Sequence, residues 1–423
     1  MRSVVKLGAL AVAAVAAWAL LAWGLAACTE SPGTETTRAS AQDSASATTT
    51  TTTEPVVDIT IAAIGDIMCH REVRQAALVP GTDEEYDFRP IFSLIAPYLR
   101  AADYTVGNLE TRLAGDNLAF TSYPRFNSPG ALADALTWSG VDLVSTANNH
   151  TLDKRWWGVE NTLNRLDEAG IAHVGTHRSQ AEKDAGSPLL VDIEGIKVAF
   201  INYTDYLNEF TPPREHKAYA VNFYRKPDKI AEEAALARQK GADLVIAMLH
   251  WGREYRTWPD DTEVEFAQGS EDYPGLLASG VDVILGGHPH VCQPIVHVVR
   301  DGEAAGVKNA YVIYSLGNFV SGMEGRHTQG GVIVYLHIRM TGSEVDVTGI
   351  DYMGVYVQNY GPYPRKMRIL PLLPGLDLGE GVWVDARDQQ RIGWVWADLT
   401  EMYDHPEQNV VPVDPAELDL AGG

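Results

Sequence analysis

Along most of this chain, short apolar runs rich in β-branched residues alternate with stretches of helical spacing, and the chemically useful polar residues fall where the apolar runs stop. "VVDITIAAIGDIM" alternates as a strand does and breaks at a glycine and Asp66. "DYTVGNLE" ends in Glu110, "VDLVSTANNH" in Asn149 and His150, "ADLVIAMLHWG" reaches His250, and "VDVILGGHPH" closes on His288 and His290. Between them, "YDFRPIFSLIAPYLRAA", "RWWGVENTLNRLDEAG" and "DKIAEEAALARQKG" carry the period of amphipathic helices. Strand and helix in alternation predict an α/β domain with a largely parallel sheet. In such a sheet the loops leaving the carboxyl ends of the strands gather along one edge, so residues far apart in sequence meet in one cleft.

The residues so gathered are carboxylates, an amide and imidazoles, with no thiolate among them. That donor set suits Mn, Fe or Zn and is unlike a structural thiolate zinc site. Asp66, Glu110, Asn149, His250, His288 and His290 are enough ligands for one or two divalent ions. Two ions roughly 3.5 to 4 Å apart clamp a phosphoryl group and deliver a deprotonated water. His288 and His290 are expected to face the same side of an extended segment, with Pro289 fixing the backbone between them and Gly286 and Gly287 leaving space for an ion or substrate. Each residue also has an ordinary structural use. Asp66 and Glu110 can cap helices, Asn149 can supply a turn, and His250 can sit satisfied in a core beside Trp251. Two imidazoles around a proline have the least such use.

The chain begins "MRSVVKLGALAVAAVAAWALLAWGLAACTESPG", with Arg2 and Lys6 ahead of an apolar run that ends in Leu25, Ala26, Ala27 and Cys28. Residues 1–28 read as a secretory signal; an uncleaved membrane anchor is the other reading, since the run approaches the roughly 20 residues that span a bilayer. Residues 29–56 are Thr- and Ser-rich with almost nothing to bury, as a flexible stalk would be. Structure is expected from Val57. Cys69 and Cys292 remain either as a bridge or as two free thiols. The chain has 33 basic and 56 acidic side chains, a net charge of −23. A surface of that sign repels nucleic acid, which excludes a nucleic-acid role.

"GDIM", "GNLE", "ANNHTLD", "HWGREY", "GGHPHVCQP" and "YSLGNF", in that order, resemble the CapA family, proteins associated with synthesis or export of poly-γ-glutamate capsule and similar in fold to calcineurin-like metallophosphatases. The residues preceding Cys28 similarly resemble a bacterial lipobox, which implies a lipid anchor on that cysteine and a position at the extracytoplasmic face of the cell membrane. The CapA resemblance covers about residues 57–340. It implies a four-layer α/β/β/α sandwich of metallophosphatase type over residues 57–345, followed by a C-terminal extension, 346–423, with extra strands and an acidic tail. By the same resemblance Asp66 is the first metal carboxylate and Glu110 the bridging one. Asn149 is the amide ligand, His150 the catalytic or phosphate-contacting histidine, and His250, His288 and His290 the imidazole ligands. Asp153 either orients His150 or caps a helix. In "YPRFNSP" Arg125 either pairs with a carboxylate or phosphate of the substrate or is an ordinary surface arginine, Tyr255 is expected to shape the cleft, and Asn318 either does the same or only fixes a turn. Two departures bear on the metal count. Met68 stands where the phosphatase pattern has a histidine, His70 lying two residues further on, and Glu110 replaces an aspartate. One ion, or a weakly held second, is therefore expected.

Two functions fit. One is a metal-dependent hydrolase or transferase acting on a phosphoester or on an amide of an anionic envelope polymer. The other is a binding or assembly subunit that helps a membrane synthase complex elongate or release poly-γ-glutamate.

Overall fold

Strands that are apolar on both faces need cover on both sides, and the chain meets this need by stacking two sheets back to back with helices outside. The computed structural model describes residues 54–414, apart from 272, 301–305, 363–364, 374, 377, 379 and 380, together with 418. The expected signal, Cys28 and nearly all of the expected stalk lie outside the described residues. Residues Thr53–Gly423 form one compact unit. No helix among the described residues is long and apolar enough to cross a membrane.

The chain lays down β1 (Val56–Ile67), β2 (Tyr104–Leu109), β3 (Leu143–Ser145) and β4 (Ala172–Val174) in a first sheet. It then builds a second, six-stranded sheet from β5 (Leu189–Ile193), β6 (Ile196–Thr204), β7 (Leu244–His250), β8 (Val283–Gly287), β9 (Ile295–Val299) and β10 (Asn309–Ile313). It returns to the first sheet with β11 (Asn318–Val320), β12 (Gly330–Thr341), β13 (Glu344–Tyr360), β14 (Lys366–Leu372) and β15 (Val410–Pro412). The orders are β14-β13-β12-β1-β2-β3-β4, with β11 against β1 and β15 against β13, and β5-β6-β7-β8-β10-β9. The parallel sheet expected from the sequence holds for β1 to β4 and for β6, β7, β8 and β10. It does not hold at the flanks, where β12, β13, β14, β5 and β9 run antiparallel to their neighbours, two-residue turns joining β5 to β6 and β12 to β13.

Period-two alternation decides the layers. Along β1, Ile59, Ile61 and Ala63 enter a core that also takes Phe200, Ile246, Leu285 and Ile313 from the second sheet. Ala62 and Ile64 point the other way, toward Phe88 and helices α1 (Arg71–Ala77), α2 (Arg89–Phe92), α3 (Ala96–Arg100), α4 (Ala131–Ser139) and α5 (Arg155–Ala169). A short α6 (Gln180–Gly186) leads into β5. Beyond the second sheet, Ile201, Ala247 and Ile284 meet α7 (Asp228–Gln239) and α9 (Gly275–Ala278), the latter preceded by α8 (Asp261–Gln268). The expected four-layer α/β/β/α sandwich is thus observed. The division expected at residue 345 is not, since that position falls inside β13, and α10 (Ala386–Tyr403) sends Val395, Leu399 and Tyr403 into the core between the sheets.

Candidate metal centre

Every parallel strand that carries a candidate ligand delivers it at its carboxyl end, and the ends of the two sheets meet. Asp66 lies near the end of β1 and Glu110 just past β2; Asn149 and His150 follow β3. His250 is the last residue of β7, and His288 and His290 follow β8. All seven are buried.

Asp66 sits at the hub. Its Oδ1 accepts from the Asn108 amide at 2.8 Å, and its Oδ2 accepts from the His288 backbone N–H at 3.2 Å and lies 3.1 Å from His290 Nδ1. His250 Nδ1 is 3.2 Å from the Asn108 amide and its Nε2 is 3.1 Å from Asn149 Oδ1. Glu110 Oε1 lies 3.7 Å from His250 Nε2 and 3.7 Å from His290 Nε2, between the imidazoles of one sheet and the carboxylate of the other. Two groups of donors therefore share Glu110: Asp66 with His290, and His250 with His288, each with atoms close enough to hold one ion. A third group joins His288 and His290 to Glu254, an exposed residue at the mouth.

The donors fit a cation. Among the described residues, Glu110 Oε1 and His288 Nδ1 are buried with no hydrogen-bond partner, and an unpaired buried polar atom is costly without a ligand. Burial, with the Asp66 charge alongside, pushes the Glu110 carboxyl well above its usual range. Burial and the neighbouring imidazoles keep His250 well below 6.5 and His288 at about 3, so both present lone pairs.

Gly286 and Gly287 serve a different purpose from the one expected. A β-carbon at Gly286 would lie 1.9 Å from the Tyr314 carbonyl oxygen, and one at Gly287 would lie 2.6 Å from Asp66 Oδ1. They admit the backbone after β10 and the Asp66 carboxylate. Nor is the histidine segment extended: β8 ends at Gly287, and His288 and His290 hold φ of 100° and 59°, the left-handed region that non-glycine residues seldom adopt. It is the turn through these values, rather than strand alternation, that directs both rings inward.

His150 faces a cleft of about 720 Å³ beside the candidate ligands, lined also by Arg125, Lys154, Tyr206 and Glu254. Asp153 Oδ2 lies 2.8 Å from His150 Nδ1 and accepts from the Phe126 backbone N–H at 2.7 Å. It caps no helix, because α5 starts after Lys154 with no side-chain cap. Arg125 lines the cleft but is paired with Glu209. Tyr255 is exposed, with its ring 6.1 Å from that of His290. Asn318 is fully buried; its amide donates to the carbonyls of His290 (3.3 Å) and Thr328 (3.0 Å), and its oxygen lies 3.1 Å from His290 Nδ1. His70 stands apart from the three donor groups, its Nδ1 accepting from the Gly322 N–H at 3.2 Å. Cys69 and Cys292 are free thiols, Cys69 pushed up to about 12 by burial.

Three residues escaped the sequence reading. Asn108 links Asp66 to His250, and its signal is an amide inside the apolar strand "TVGNL". Arg112 is buried behind Glu110 and Asp153, whose charges oppose the lowering that burial imposes on it, to about 10. Glu254 lies in "HWGREY", between the more conspicuous His250 and Tyr255.

Residues 60–323 match the family model described as "Bacterial capsule synthesis protein PGA_cap". The chain is 27% identical over 313 residues to the "Capsule biosynthesis protein CapA" of Bacillus anthracis, covering 72% of this chain and 69% of that one. It is 27% identical over 301 residues to the "PGA biosynthesis protein CapA" of Bacillus subtilis, covering 69% and 71%. Among solved structures it is similar to the calcineurin-like phosphoesterase YfkN of Bacillus subtilis, with a TM-score of 0.38, 15% identity, and coverage of 81% of this chain and 100% of that chain. It is also similar to the NAD nucleotidase of Haemophilus influenzae, with a TM-score of 0.41, 14% identity, and coverage of 86% and 59%.

Proposed function

This chain belongs to the family of bacterial capsule synthesis proteins described by PGA_cap, and from that membership we propose that it works in the synthesis or export of poly-γ-glutamate or another anionic envelope polymer, through a divalent-metal centre. The observation that carries the proposal is the meeting of Asp66 and Glu110 from one sheet with His250, His288 and His290 from the other, around buried donors without partners. Asp66, Glu110 and His290 would hold one ion, and Glu110, Asn149, His250 and His288 a second. Bound there, divalent ions supply Lewis-acid polarisation and a deprotonated water near neutral pH. Asn318 and Asn108 are positioning residues, fixing the rings of His290 and His250. Tyr255 and Arg125 border the path of substrate. The chain is placed at the extracytoplasmic face of the cell membrane, tethered through Cys28, where it would serve a membrane synthase complex.

The dyad of His150 and Asp153, buried and aimed at the cleft, favours a second reading: a metal-dependent hydrolase of a phosphodiester or γ-glutamyl amide in another envelope component. The first test is elemental analysis of the chain purified without chelator, alongside His288→Ala and His290→Ala. One or two ions per chain, reduced in both variants with circular dichroism unchanged, is the expected result. Unchanged occupancy in both variants removes the ligand assignment. A metal-loaded protein that cleaves neither class of bond favours the assembly role over the hydrolase.

A further inference from the structure

The net charge of −23 makes any cluster of unpaired cations on this protein notable. A pocket of about 550 Å³ beside the loop that follows β6 is lined by Lys183, Lys217, Arg225 and Lys229. None of the four joins an ion pair among the described residues. Lys183 is half-buried on α6, and Lys229 stands in the first turn of α7, where the helix dipole disfavours a cation. The Lys229 placement does not help its helix, whereas Lys183 stands in the last turn of α6, which tolerates a cation. Carboxylates nearby act on these charges without forming an ion pair, Glu233 and Asp184 on Lys183 and Asp205 on Arg225. Glu233 is buried and engaged by the hydroxyls of Tyr203 and Ser187, and Asp205, which also lines the pocket, is raised to about 6 by burial.

Beside the polar Asn208 and Thr211, the wall carries Leu207, Phe210 and Phe223, the last with the Arg225 guanidinium 5.0 Å above its ring. No glycine lines the pocket, so it lacks the backbone cradle that phosphate sites favour. Separated point charges over a partly apolar wall suit carboxylates spaced along an aliphatic chain. Tyr206, Asn208 and Phe210 line both this pocket and the cleft that holds His150. The two cavities therefore adjoin, with these side chains between them.

We propose that this pocket is a second anion site, which grips a polycarboxylate segment of the polymer away from the metal centre and so feeds or holds the chain while another unit occupies the cleft. The inference rests on the proposed handling of an anionic polymer, but not on metal-dependent chemistry. The test uses the whole chain, a fluorescent γ-linked glutamate decamer read by anisotropy at low salt, and the double variant Lys217→Glu with Arg225→Glu. Binding of the decamer should weaken at least about tenfold while metal content stays unchanged, because reversal replaces attraction by repulsion at the pocket alone. Should reversal disturb folding, the neutral pair Lys217→Gln with Arg225→Gln should still weaken binding by roughly fivefold. Equal decamer affinity in wild type and variants overturns the proposal. So does a wild type that ignores the decamer yet binds inorganic tripolyphosphate in a manner the variants lose. An Asp66→Asn, His290→Ala variant separates the two readings: loss of metal with retained, Lys217- and Arg225-dependent decamer binding upholds the pocket whatever the metal does.

Discussion

Gly287 is where sequence and site touch most closely, since any β-carbon there would meet Asp66 Oδ1 at 2.6 Å. Gly287→Ala should move that carboxylate and lower metal affinity by about tenfold, with a stability loss of roughly 1 to 3 kcal/mol for the forced repacking. Gly186→Ala, with nothing within 4 Å and no left-handed φ, is the matched control and should leave metal affinity unchanged while raising stability by about 0.4 to 1 kcal/mol. Isothermal titration with Mn or Zn on both variants checks the pair. At this scale the sequence was most legible where a residue had no alternative use. His288 and His290 stood out because imidazoles flanking a proline serve no packing purpose. Asn108 and Arg112 were hidden because their work is done through neighbours: the amide relays between Asp66 and His250, and the guanidinium stands behind two carboxylates. Such roles leave no spacing rule to read. Asn318 reads in the sequence as a cleft-shaping or turn residue, and its engagement with His290 and Thr328 is visible only in the fold.

At the scale of elements, the ends of strands carried the information. The apolar runs predicted β1, β2, β3, β7 and β8, and the polar residue closing each run predicted which edge would bear the site. What alternation could not give was the partner of each strand. β13 and β14 were read as belonging to an extension, because a strand's own pattern does not say which sheet completes it. In the structure β13 pairs with β12 along nearly its whole length, and β12 pairs with β1, the strand that carries Asp66. Ending the chain at residue 345 should therefore leave no folded remainder, rather than a functional core lacking an appendage. Expression of residues 54–345 beside 54–423, compared by heat-induced unfolding, decides the matter. A cooperative transition in the shorter chain would contradict the observed pairing. The helix-like stretch "TEVEFAQGSEDYPGLLASG" divides into α8 and α9, because Gly269, which ends the first, and Gly275, which opens the second, both take positive φ.

For the molecule as a whole, the buried titratable groups set how stability depends on pH. Burial holds His70 and His177 at about 4, His288 at about 3, and His250 well below 6.5. The unfolded chain takes up these protons near pH 6.5 while the folded chain resists, so their contribution is full above that value and is lost as the solution is acidified. Asp205 and Glu263, raised to about 6 and about 7 by burial, act in the opposite sense. His177 lies away from the donor groups and isolates one side of the balance. Between pH 7 and pH 5 it should account for roughly 2 kcal/mol of lost stability. In denaturant titrations, His177→Gln should lose less stability than the wild type over that interval by about this amount. The first sheet also governs the order in which the molecule can be made. β1 has β2 on one side and β12 on the other, so that Ile61 faces both Tyr104 and Leu336 across the sheet. A nascent or translocating chain offers the first of these neighbours early and the second only after the entire intervening sheet has emerged. For that interval the strand bearing Asp66 has a bare edge, slow to close because its partner is remote and open meanwhile to mispairing with other chains. Yield in the cell is then set by waiting time, and whatever shields that edge until Gly330–Thr341 arrives does as much for the working protein as any contact within it.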